Sequence, residues 1–392
     1  MQLTEQIQLK SSPELSRLCH LAKNLYNQAN YQYRQFFFNL EEFINYYDLQ
    51  VILKGKECYK QLPAQTSQQI LDLVIKNWKS YWASLKEYKI NPSKFLGRPK
   101  IPKYKSKNGE CIVIFTNQNT RIKNGFIHFP KSCKLKPIKT RLLNYQQIRI
   151  IPKGNYYICE IIYNYQERDF FLNKNNVIGI DLGLNNLITA VNNQGLQPFI
   201  IKGGMVKSMN QFYNKMNAFL QSNKDKQGYE FQTKNQQQLL KKRNNQIRDI
   251  FHKASRKVIN YCINNDIGTI VIGYNKGWKQ EITLGKRNNQ NFMQIPFLKL
   301  IQQLEYKAKM VGIQVIIHEE SYTSKCSFLD NESIEKHEVY QGKRIKRGLF
   351  KTSKGQILNA DVNGALNILK KALPDALEGI EGLVLTPYSF RI

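Results

Sequence analysis

The first ninety residues change from a strand-like to a helical pattern of apolar positions. Residues 2–9 alternate polar and apolar side chains, as a half-buried strand does. Residues 11–14, Ser-Ser-Pro-Glu, then supply capping residues that can begin a helix. Apolar residues recur at helical spacing from there to residue 88, with breaks near Gly55 and Pro63. The pattern predicts one short strand followed by a small helical lobe.

Short strand-like runs dominate the next part of the chain. The last two runs are joined by Pro152-Lys153-Gly154-Asn155, which is a turn-forming sequence. The runs cover residues 111–115, 126–129, 147–151 and 156–165. We expect them to form a small β-barrel arranged around the inserted helical lobe.

Strand-like and helical patterns alternate after Asn176. The predicted strands cover residues 177–180, 187–191, 199–201, 269–272 and 313–317. The predicted helices cover residues 230–263, 295–310 and 361–373. Such alternation is typical of an α/β layered domain.

The charge of the chain narrows the kinds of partner it can have. Lys and Arg number 59 against 29 Asp and Glu, so the formal net charge is +30 and the pI is about 9.7. Nucleic acid neutralises such a charge by releasing its condensed counterions. The 42% of hydrophobic residues argues against a disordered basic tail, so we expect a folded nucleic-acid-binding protein.

A basic arm, which we define as residues 94–107, is the densest local source of this charge. It interleaves six Lys or Arg residues with prolines and aromatic residues. We expect the arm to follow a nucleic-acid backbone through Arg98, Lys100, Lys103 and Lys105. The alternative is that it is only a solvated linker.

The apolar runs and the cysteines of the chain indicate where the protein is located and whether it forms disulfides. No apolar run approaches the ~20 residues of a membrane span, so we expect a cytoplasmic protein without a membrane partner. The seven cysteines are scattered and include no Cys-x-x-Cys pair, so we expect neither a disulfide framework nor a thiolate zinc site.

Two aspartates occupy positions that suit a catalytic or metal-binding role. Asp181 ends a buried strand at a glycine-containing turn, where open α/β sheets tend to bind ligands. Asp361 lies in the run Asn-Ala-Asp-Val-Asn-Gly-Ala, whose small residues allow a helix to pack closely on a sheet. Each has a simpler interpretation, because Asp181 could only form the turn and Asp361 could only be an N-cap.

Together these stretches resemble a known family. IGIDLGLNN (residues 178–186) and NADVNGALNIL (359–369) are similar to the first and third acidic motifs of the RuvC-type nuclease domain in the TnpB family, the insertion-sequence OrfB proteins related to miniature type V CRISPR effectors. RPKIPKYKSK, RDIFHKAS, GYNKGWKQ, NQNFMQIPF and EESYTSK resemble further stretches of one branch, and the similarity extends from about residue 62 to residue 371.

The resemblance implies an RNase H-like fold in which two Asp and one Glu hold two Mg²⁺ ions that cut DNA. Asp181 and Asp361 match the two aspartates. A guide RNA and a target DNA are the implied partners. Abundant Lys, Asn and Ile indicate an AT-rich bacterial genome, so we expect a cytoplasmic, nucleoid-associated protein of a bacterium. Trp278 and Lys279 combine a stacking platform with a phosphate partner, although Trp278 could equally be a core residue.

The middle acid departs from the family pattern. Many members have Glu at the end of the fourth strand of this domain, where this chain has Gly273. The next strand ends in His318-Glu319-Glu320 and should lie beside the fourth. We therefore expect Glu320 to be the third metal ligand, with Glu319 as the alternative. Either glutamate could instead have only a structural role, in which it pairs with a nearby Lys or Arg.

The family's zinc-binding cysteine pairs are missing as well. Residues 321–359 contain only Cys326 and His337 as thiol and imidazole, so we predict no structural zinc. We expect this insert to be held by Tyr340, Ile345, Leu349 and Phe350. Its basic stretch, residues 343–347, could contact a nucleic-acid strand near the active site or be a solvated loop.

The resemblance also implies a division of the chain into domains. Residues 1–10 are the first strand of a wedge-like barrel domain, 11–92 a helical recognition lobe, and 93–172 the remainder of the barrel domain with the arm. Residues 173–392 form the RuvC-like domain with an insert at about 321–359.

The leading functional hypothesis is an RNA-guided DNA endonuclease encoded by an insertion sequence, which cuts next to a short motif read by the protein. The alternative is a cleavage-deficient RNA-guided DNA-binding regulator, which the absent Glu at Gly273 favours. A sugar-kinase or actin-like ATPase shares the Asp-Leu-Gly strand end but gives no reason for a charge of +30.

Overall fold

The computed structural model describes residues 1–40, 43–275, 289–290, 293–378 and 384–390. The chain divides into two units, Met1–Tyr165 and Gln166–Ile392. The division falls where the strand-rich pattern of the first half gives way to alternating strands and helices.

Helices of the first unit bury a continuous aromatic and aliphatic core. They are α1 (Pro13–Gln35), α2 (Tyr46–Lys54), α3 (Glu57–Lys60) and α4 (Ala64–Ile90), with a π-helical turn at Phe36–Leu40 and a 3₁₀ turn at Pro92–Lys94. Ser12 caps α1, because its hydroxyl accepts from the backbone N–H of Leu15. The fully buried Trp78 of α4 stacks on Tyr33 of α1, with ring centroids 4.3 Å apart. This stacking joins the two long helices of the lobe.

Strands of the first unit form two antiparallel sheets. They are β1 (Gln2–Lys10), β2 (Val113–Thr116), β3 (Arg121–Lys123), β4 (Phe126–His128), β5 (Ile138–Lys139), β6 (Gln147–Pro152) and β7 (Tyr156–Asn164). The sheet orders are β1-β7-β6-β2 and β3-β4-β5. β1 pairs with β7 along its whole length, so the first and last strands of the unit lie side by side. Closure of these sheets into a barrel stays a prediction.

A six-stranded sheet runs through the described part of the second unit. Its strands are β8 (Val177–Asp181), β9 (Asn186–Asn192), β10 (Phe199–Lys202), β11 (Thr269–Gly273), β12 (Gln314–His318) and a last strand near the C-terminus, β16 (Tyr388–Phe390). The order is β12-β11-β8-β9-β10-β16. β8, β11 and β12 are parallel, whereas β9 is antiparallel to β8 and β10. The carboxyl ends of β8, β11 and β12 therefore share one edge.

Helices cover both faces of this sheet. They are α5 (Gly204–Lys226), α6 (Lys234–Asn264), α7 (Phe297–Lys309) and α8 (Ala360–Ala372). Ile178 and Ile270 pack on the core shared with α6 and α7, while Val177 and Val271 face α8, as the alternation of a strand requires. The sequence pattern did not predict α5, because only Val206, Asn210 and Lys224 of its residues are buried and it lacks an apolar stripe.

The insert forms a three-stranded antiparallel sheet, β13 (Lys343–Lys346), β14 (Leu349–Lys351) and β15 (Ile357–Asn359). Of the four residues expected to hold it, Phe350 is buried and Tyr340 is partly buried, but Ile345 and Leu349 are each more than a third exposed. That expectation was wrong for Ile345 and Leu349, because only one face of so small a sheet packs.

A buried carboxylate also orders the insert. Glu332 accepts from the backbone N–H groups of Ser327 (2.7 Å) and Gln341 (2.9 Å). These two bonds tie distant parts of the insert to one buried group.

All seven cysteines are free, and six of them are buried. No helix in the described part of the chain combines the length and the apolar character that crossing a membrane requires.

Candidate active site

The strand register brings Asp181 next to Gly273. Ile180 of β8 pairs with Ile272 of β11, and Gly273 pairs in turn with His318 of β12. Asp181 is the last residue of β8. Because side chains alternate along a strand, it lies on the same face as Val177, which is the face that α8 covers. The sheet edge therefore presents a carboxylate from its central strand to the start of α8.

Asp361 lies in the first turn of α8. The helix is capped by Asn359, whose side chain accepts from the backbone N–H groups of Asp361 and Val362. The alternative interpretation of Asp361 as an N-cap was therefore wrong. A Cβ on Gly364, one turn further along, would lie 3.3 Å from Oδ2 of Asp181. The absence of a side chain there lets α8 approach the Asp181 carboxylate.

The space above Gly273 is filled by Glu320. A Cβ built on Gly273 would lie 2.6 Å from Oε2 of Glu320. Glu319 turns elsewhere: its side chain is 53% exposed, and Oε2 lies 2.5 Å from Nζ of Lys371. The neighbouring glutamates thus have different partners, and only Glu320 reaches over Gly273 toward Asp181.

Burial and neighbouring negative charge act together on the carboxylates of the site. Burial, followed by the negative charges of Glu320 and Asp361, raises the pKa of Asp181 to about 8, and Arg344 opposes this shift. Burial, together with the charge of Glu319, raises the pKa of Glu320 to about 7. Like charges brought together in a poorly hydrated site favour protonation or a bound cation.

Both oxygens of the Asp361 carboxylate have partners from this chain. Asn186, the first residue of β9, donates its side-chain N–H to Oδ2 at 2.7 Å. Arg344 of the insert lies 3.2 Å from Oδ1. Arg347, three residues on, donates to the side chain of Asn185. The turn after Asp181 and the insert are therefore linked at the Asp361 side of the site.

The three carboxylates have the donor chemistry that Mg²⁺ prefers, because hard cations bind carboxylate oxygens. The uncompensated charge of the partly buried Asp181 and Glu320 is what a cation would neutralise. Within the described residues, no three acidic, imidazole or thiol groups form a closed set that could hold an ion as they stand. The arrangement is a cluster that can supply ligands rather than a complete coordination sphere.

The basic arm is docked along α1 in the first unit. Asn27 makes two hydrogen bonds to the backbone of Lys105, donating to its carbonyl (2.9 Å) and accepting from its N–H (2.8 Å). Asn30 and Arg34 donate to the carbonyl of Pro102, at 3.1 and 2.6 Å. These residues lie on one face of the helix, so the arm backbone is held while its cationic side chains stay outside.

The predicted binding residues of the arm are exposed. Arg98, Lys100, Lys103 and Lys105 all have solvent-accessible side chains. A groove beside them is lined by Tyr26 of α1, by residues of α4 and by the arm; the α4 residues are Asn77, Ser80, Tyr81 and Ser84. Lysines beside aromatic rings and small polar groups suit nucleic acid. Trp278 and Lys279 lie outside the described residues.

Some residues at the site were not singled out from the sequence. Asn186 is one, and the buried pair Asn363 and Asn367 of α8 is another. The spacing of Asn363 and Asn367 by four residues within the otherwise uncharged and apolar run 362–369 was a usable signal, because buried amides need partners. Nothing in the sequence marked the pairing of Asn186 with Asp361.

The fold and the site define an α/β protein with a carboxylate cluster at the edge of its central sheet. Residues 161–279 match the OrfB_IS605 family, described as probable transposase, and residues 297–368 match the Cas12f1-like TNB domain. The TnpB-like protein ORF457 of Acidianus two-tailed virus is 24% identical over 406 residues, which covers 92% of this chain and 83% of the viral protein.

Further relatives carry related names. The CRISPR-associated endodeoxyribonuclease Cas12f1 of Sulfoacidibacillus thermotolerans is 27% identical over 229 residues, which covers 55% of this chain and 50% of that protein. The chain in a cryo-EM structure of a Cas12f1–sgRNA–target DNA complex superposes with a TM-score of 0.56 at 16% identity, over 90% of this chain and 81% of that one. The mini-RNA-guided endonuclease Cas_phi3 gives a TM-score of 0.51 at 10% identity, over 98% and 93%.

The structural matches show a shared mixed α/β fold. The family matches and the viral relative confirm the resemblance to the TnpB family that the motifs of this chain carry.

Proposed function

We propose that the chain is an RNA-guided DNA endonuclease with an RNase H-like RuvC domain. The observation that carries the proposal is the convergence of Asp181, Glu320 and Asp361 at one edge of a sheet ordered β12-β11-β8-β9-β10. Similarity to the TnpB-like and Cas12f1 proteins supports the same class of activity. The Cas12f1 chain of similar fold was solved in complex with an sgRNA and a target DNA, and we infer the same kinds of partner for this chain.

Asp181, Glu320 and Asp361 would hold two Mg²⁺ ions in this proposal. Bound ions would supply a nucleophile at neutral pH and stabilise charge on the leaving oxygen. The partial burial of Asp181 and Glu320 strengthens their attraction for cations, since fewer waters screen them. No structural zinc is part of the proposal, since the insert is ordered by Phe350 and Glu332.

Arg344 supplies a fixed positive charge at the open side of the cluster. Its side chain is 48% exposed while it contacts Asp361, whose side chain is 24% exposed. A planar guanidinium binds phosphate oxygens through paired hydrogen bonds. We therefore assign Arg344 to the DNA phosphate next to the cleavage point, which favours the nucleic-acid interpretation of residues 343–347 over a solvated loop.

The first unit would bind nucleic acid through the arm and its groove. The arm backbone is already ordered by Asn27, Asn30 and Arg34, so binding does not have to fix it. Phosphates would contact Lys100, Lys103 and Lys105, while the polar face of α4 is available to base edges. Sequence selection beyond a short motif would come from pairing with the guide RNA.

A cleavage-deficient RNA-guided DNA-binding protein is the second candidate function. It is favoured by Gly273, which cannot bind a metal at the position where many relatives have Glu. The position of Glu320 over Gly273 favours the nuclease, because the displaced carboxylate reaches the same space.

The deciding experiment is cleavage by the purified ribonucleoprotein. The protein is coexpressed with the DNA that flanks its gene, and a library of target plasmids is incubated with Mg²⁺ or with EDTA. Mg²⁺-dependent cutting that is lost in Asp181→Asn supports the nuclease. RNA-dependent binding without cutting in wild type establishes the regulator, and the absence of both overturns the proposal.

A further inference from the structure

The backbone of Glu320 is held on both sides. Its N–H donates to the side-chain oxygen of Asn275 at 2.9 Å. Its carbonyl accepts from the hydroxyl of Thr323 at 2.8 Å and from the Thr323 N–H at 3.3 Å. Glu320 lies beyond the end of β12, so no strand pairing fixes it. These local bonds therefore decide where its side chain begins.

Thr323 is itself tied to α8. Asn367 donates its side-chain N–H to the carbonyl of Thr323 (2.9 Å) and to that of Cys326 (2.8 Å). Asn363 donates to the carbonyl of Cys326 and accepts from the N–H of Phe328. Both asparagines are fully buried and lie four residues apart on one face of the helix. The loop after Glu320 is thus attached to α8 at Thr323, Cys326 and Phe328.

Buried amides of this kind restrict the arrangements that a loop can take. A polar group in a core costs free energy unless it is hydrogen-bonded, and each misplaced bond leaves an unsatisfied donor or acceptor. The loop can therefore occupy few positions relative to α8 without breaking several bonds together. An apolar contact would hold the loop without fixing its register.

The same helix carries Asp361 in its first turn. We propose that Thr323 and Asn367 are positioning residues for the displaced Glu320, so that α8 sets the separation of Glu320 and Asp361. Asp361 is positioned directly by the helix, and Glu320 is positioned through Asn367 and Thr323. This inference rests on the proposed function, because it assigns the bonds a role in metal-dependent cleavage.

A hydroxyl deletion tests the idea with little change in volume. Thr323→Val removes the hydroxyl bond to the Glu320 carbonyl and keeps the backbone N–H bond, whereas Thr323→Ser retains both. Thr269→Val is the matched control: the Thr269 hydroxyl is also buried and donates to a main-chain carbonyl (Lys174, 2.8 Å), but it lies at the opposite end of β11. Asn367→Leu provides a second, more disruptive variant.

Three quantities are measured for each ribonucleoprotein: the single-turnover cleavage rate against Mg²⁺ concentration, the affinity for target DNA in EDTA, and the Mn²⁺ concentration that half-maximally raises the melting temperature. We expect Thr323→Val to reduce the cleavage rate at least tenfold, as is usual when a supporting bond of a metal ligand is lost. Its Mg²⁺ and Mn²⁺ midpoints rise, DNA affinity is unchanged, and Thr323→Ser restores most of the rate.

The controls separate the possible failures. If Thr323→Val cuts like Thr269→Val and has the wild-type Mn²⁺ midpoint, the positioning role is overturned while the nuclease stands. If wild type does not cut but responds to Mn²⁺, the cleavage function fails and the midpoints still decide the positioning role. If wild type neither cuts nor responds to Mn²⁺, both proposals are overturned.

Discussion

Gly273→Ala is the sharpest perturbation that the structure offers. The new Cβ would lie 2.5 Å from Cδ1 of Ile368 and 2.6 Å from Oε2 of Glu320, whereas ordinary contacts begin at 3.4 Å. Both neighbours must therefore give way by almost 1 Å. Ile368 is 1% exposed in the packed face of α8, while the Glu320 carboxylate is the end of a flexible and partly exposed side chain. We expect Glu320 to move further than Ile368.

The displacement of Glu320 sets the expected changes in stability and in cleavage rate. Overpacking of this kind costs about 1–3 kcal/mol of unfolding free energy. Displacing a metal-binding carboxylate should lower the cleavage rate by at least ~10–100-fold, the range seen for supporting residues. Gly204→Ala is the matched control in the same unit, because a Cβ at Gly204 has no atom within 4 Å. It should leave both quantities near wild type.

The assay is single-turnover cleavage of a guide-matched DNA, read beside a thermal melt and a DNA-binding titration. A Gly273→Ala protein that melts earlier yet cuts at the wild-type rate would refute the reasoning, because Glu320 would then have kept its working position or would be dispensable. Gly273→Glu should also fail to increase cutting, since its side chain must enter space that Glu320 occupies. The double variant Gly273→Glu/Glu320→Gly, which relocates the carboxylate, should recover part of the lost activity.

Further predictions concern the acids, the pH dependence and the arm. Asp181→Asn and Asp361→Asn should each abolish Mg²⁺-dependent cutting and leave guide-RNA affinity within about twofold, measured by filter binding; cutting by either variant removes that residue from the site. Glu320→Gln should also abolish cutting, whereas Glu319→Gln should retain most of it, because Glu319 pairs with Lys371 instead. The pKa of Asp181 is raised from 3.8 to about 8, so the folded protein binds more protons than the unfolded chain between these values. The unfolding free energy of the metal-free protein should therefore fall as pH rises from about 4 to 8, and Asp181→Asn should flatten this part of a melting-temperature profile. Reversing the charges of Arg98, Lys100, Lys103 and Lys105 together should make the log–log salt dependence of RNA affinity shallower by about 0.7–0.9 per lost phosphate contact; an unchanged slope means that the arm is a solvated linker.

The sequence predicted best the elements that carry their own periodic signal. The strands around Asp181 and before Glu320 are short apolar runs, and the structure has them at Val177–Asp181 and Gln314–His318. The sequence pattern did not predict α5, because Phe212 and Phe219 are exposed and the apolar residues of this helix do not form one buried stripe. A periodic pattern of apolar residues reveals a helix that buries one side, and α5 buries few of its residues.

Predicting the site was harder, because its geometry depends on long-range pairing. The register that sets Gly273 between Asp181 and His318 joins three strands separated by about ninety and forty-five residues. The preference for Glu320 over Glu319 required this neighbour relation, which the order of the strands suggested. The contacts of Asn186 and Arg344 with Asp361 could not be foreseen, because they depend on how a turn and an insert meet in space.

A metal-binding glutamate at position 320 instead of 273 needs neighbouring residues to hold its backbone in place. A Glu at position 273 would lie at the end of β11, where residue 273 pairs with His318 of β12 and the preceding residue, Ile272, pairs with Ile180 of β8. Glu320 lies two residues beyond the last residue of β12 and has no such support. The bonds from Asn275 and Thr323, and the attachment of Thr323 to α8, take the place of the strand pairing that position 273 would supply. It follows that substitutions in the loop after Glu320 should affect cleavage here more than they do in relatives whose middle acid remains on the fourth strand.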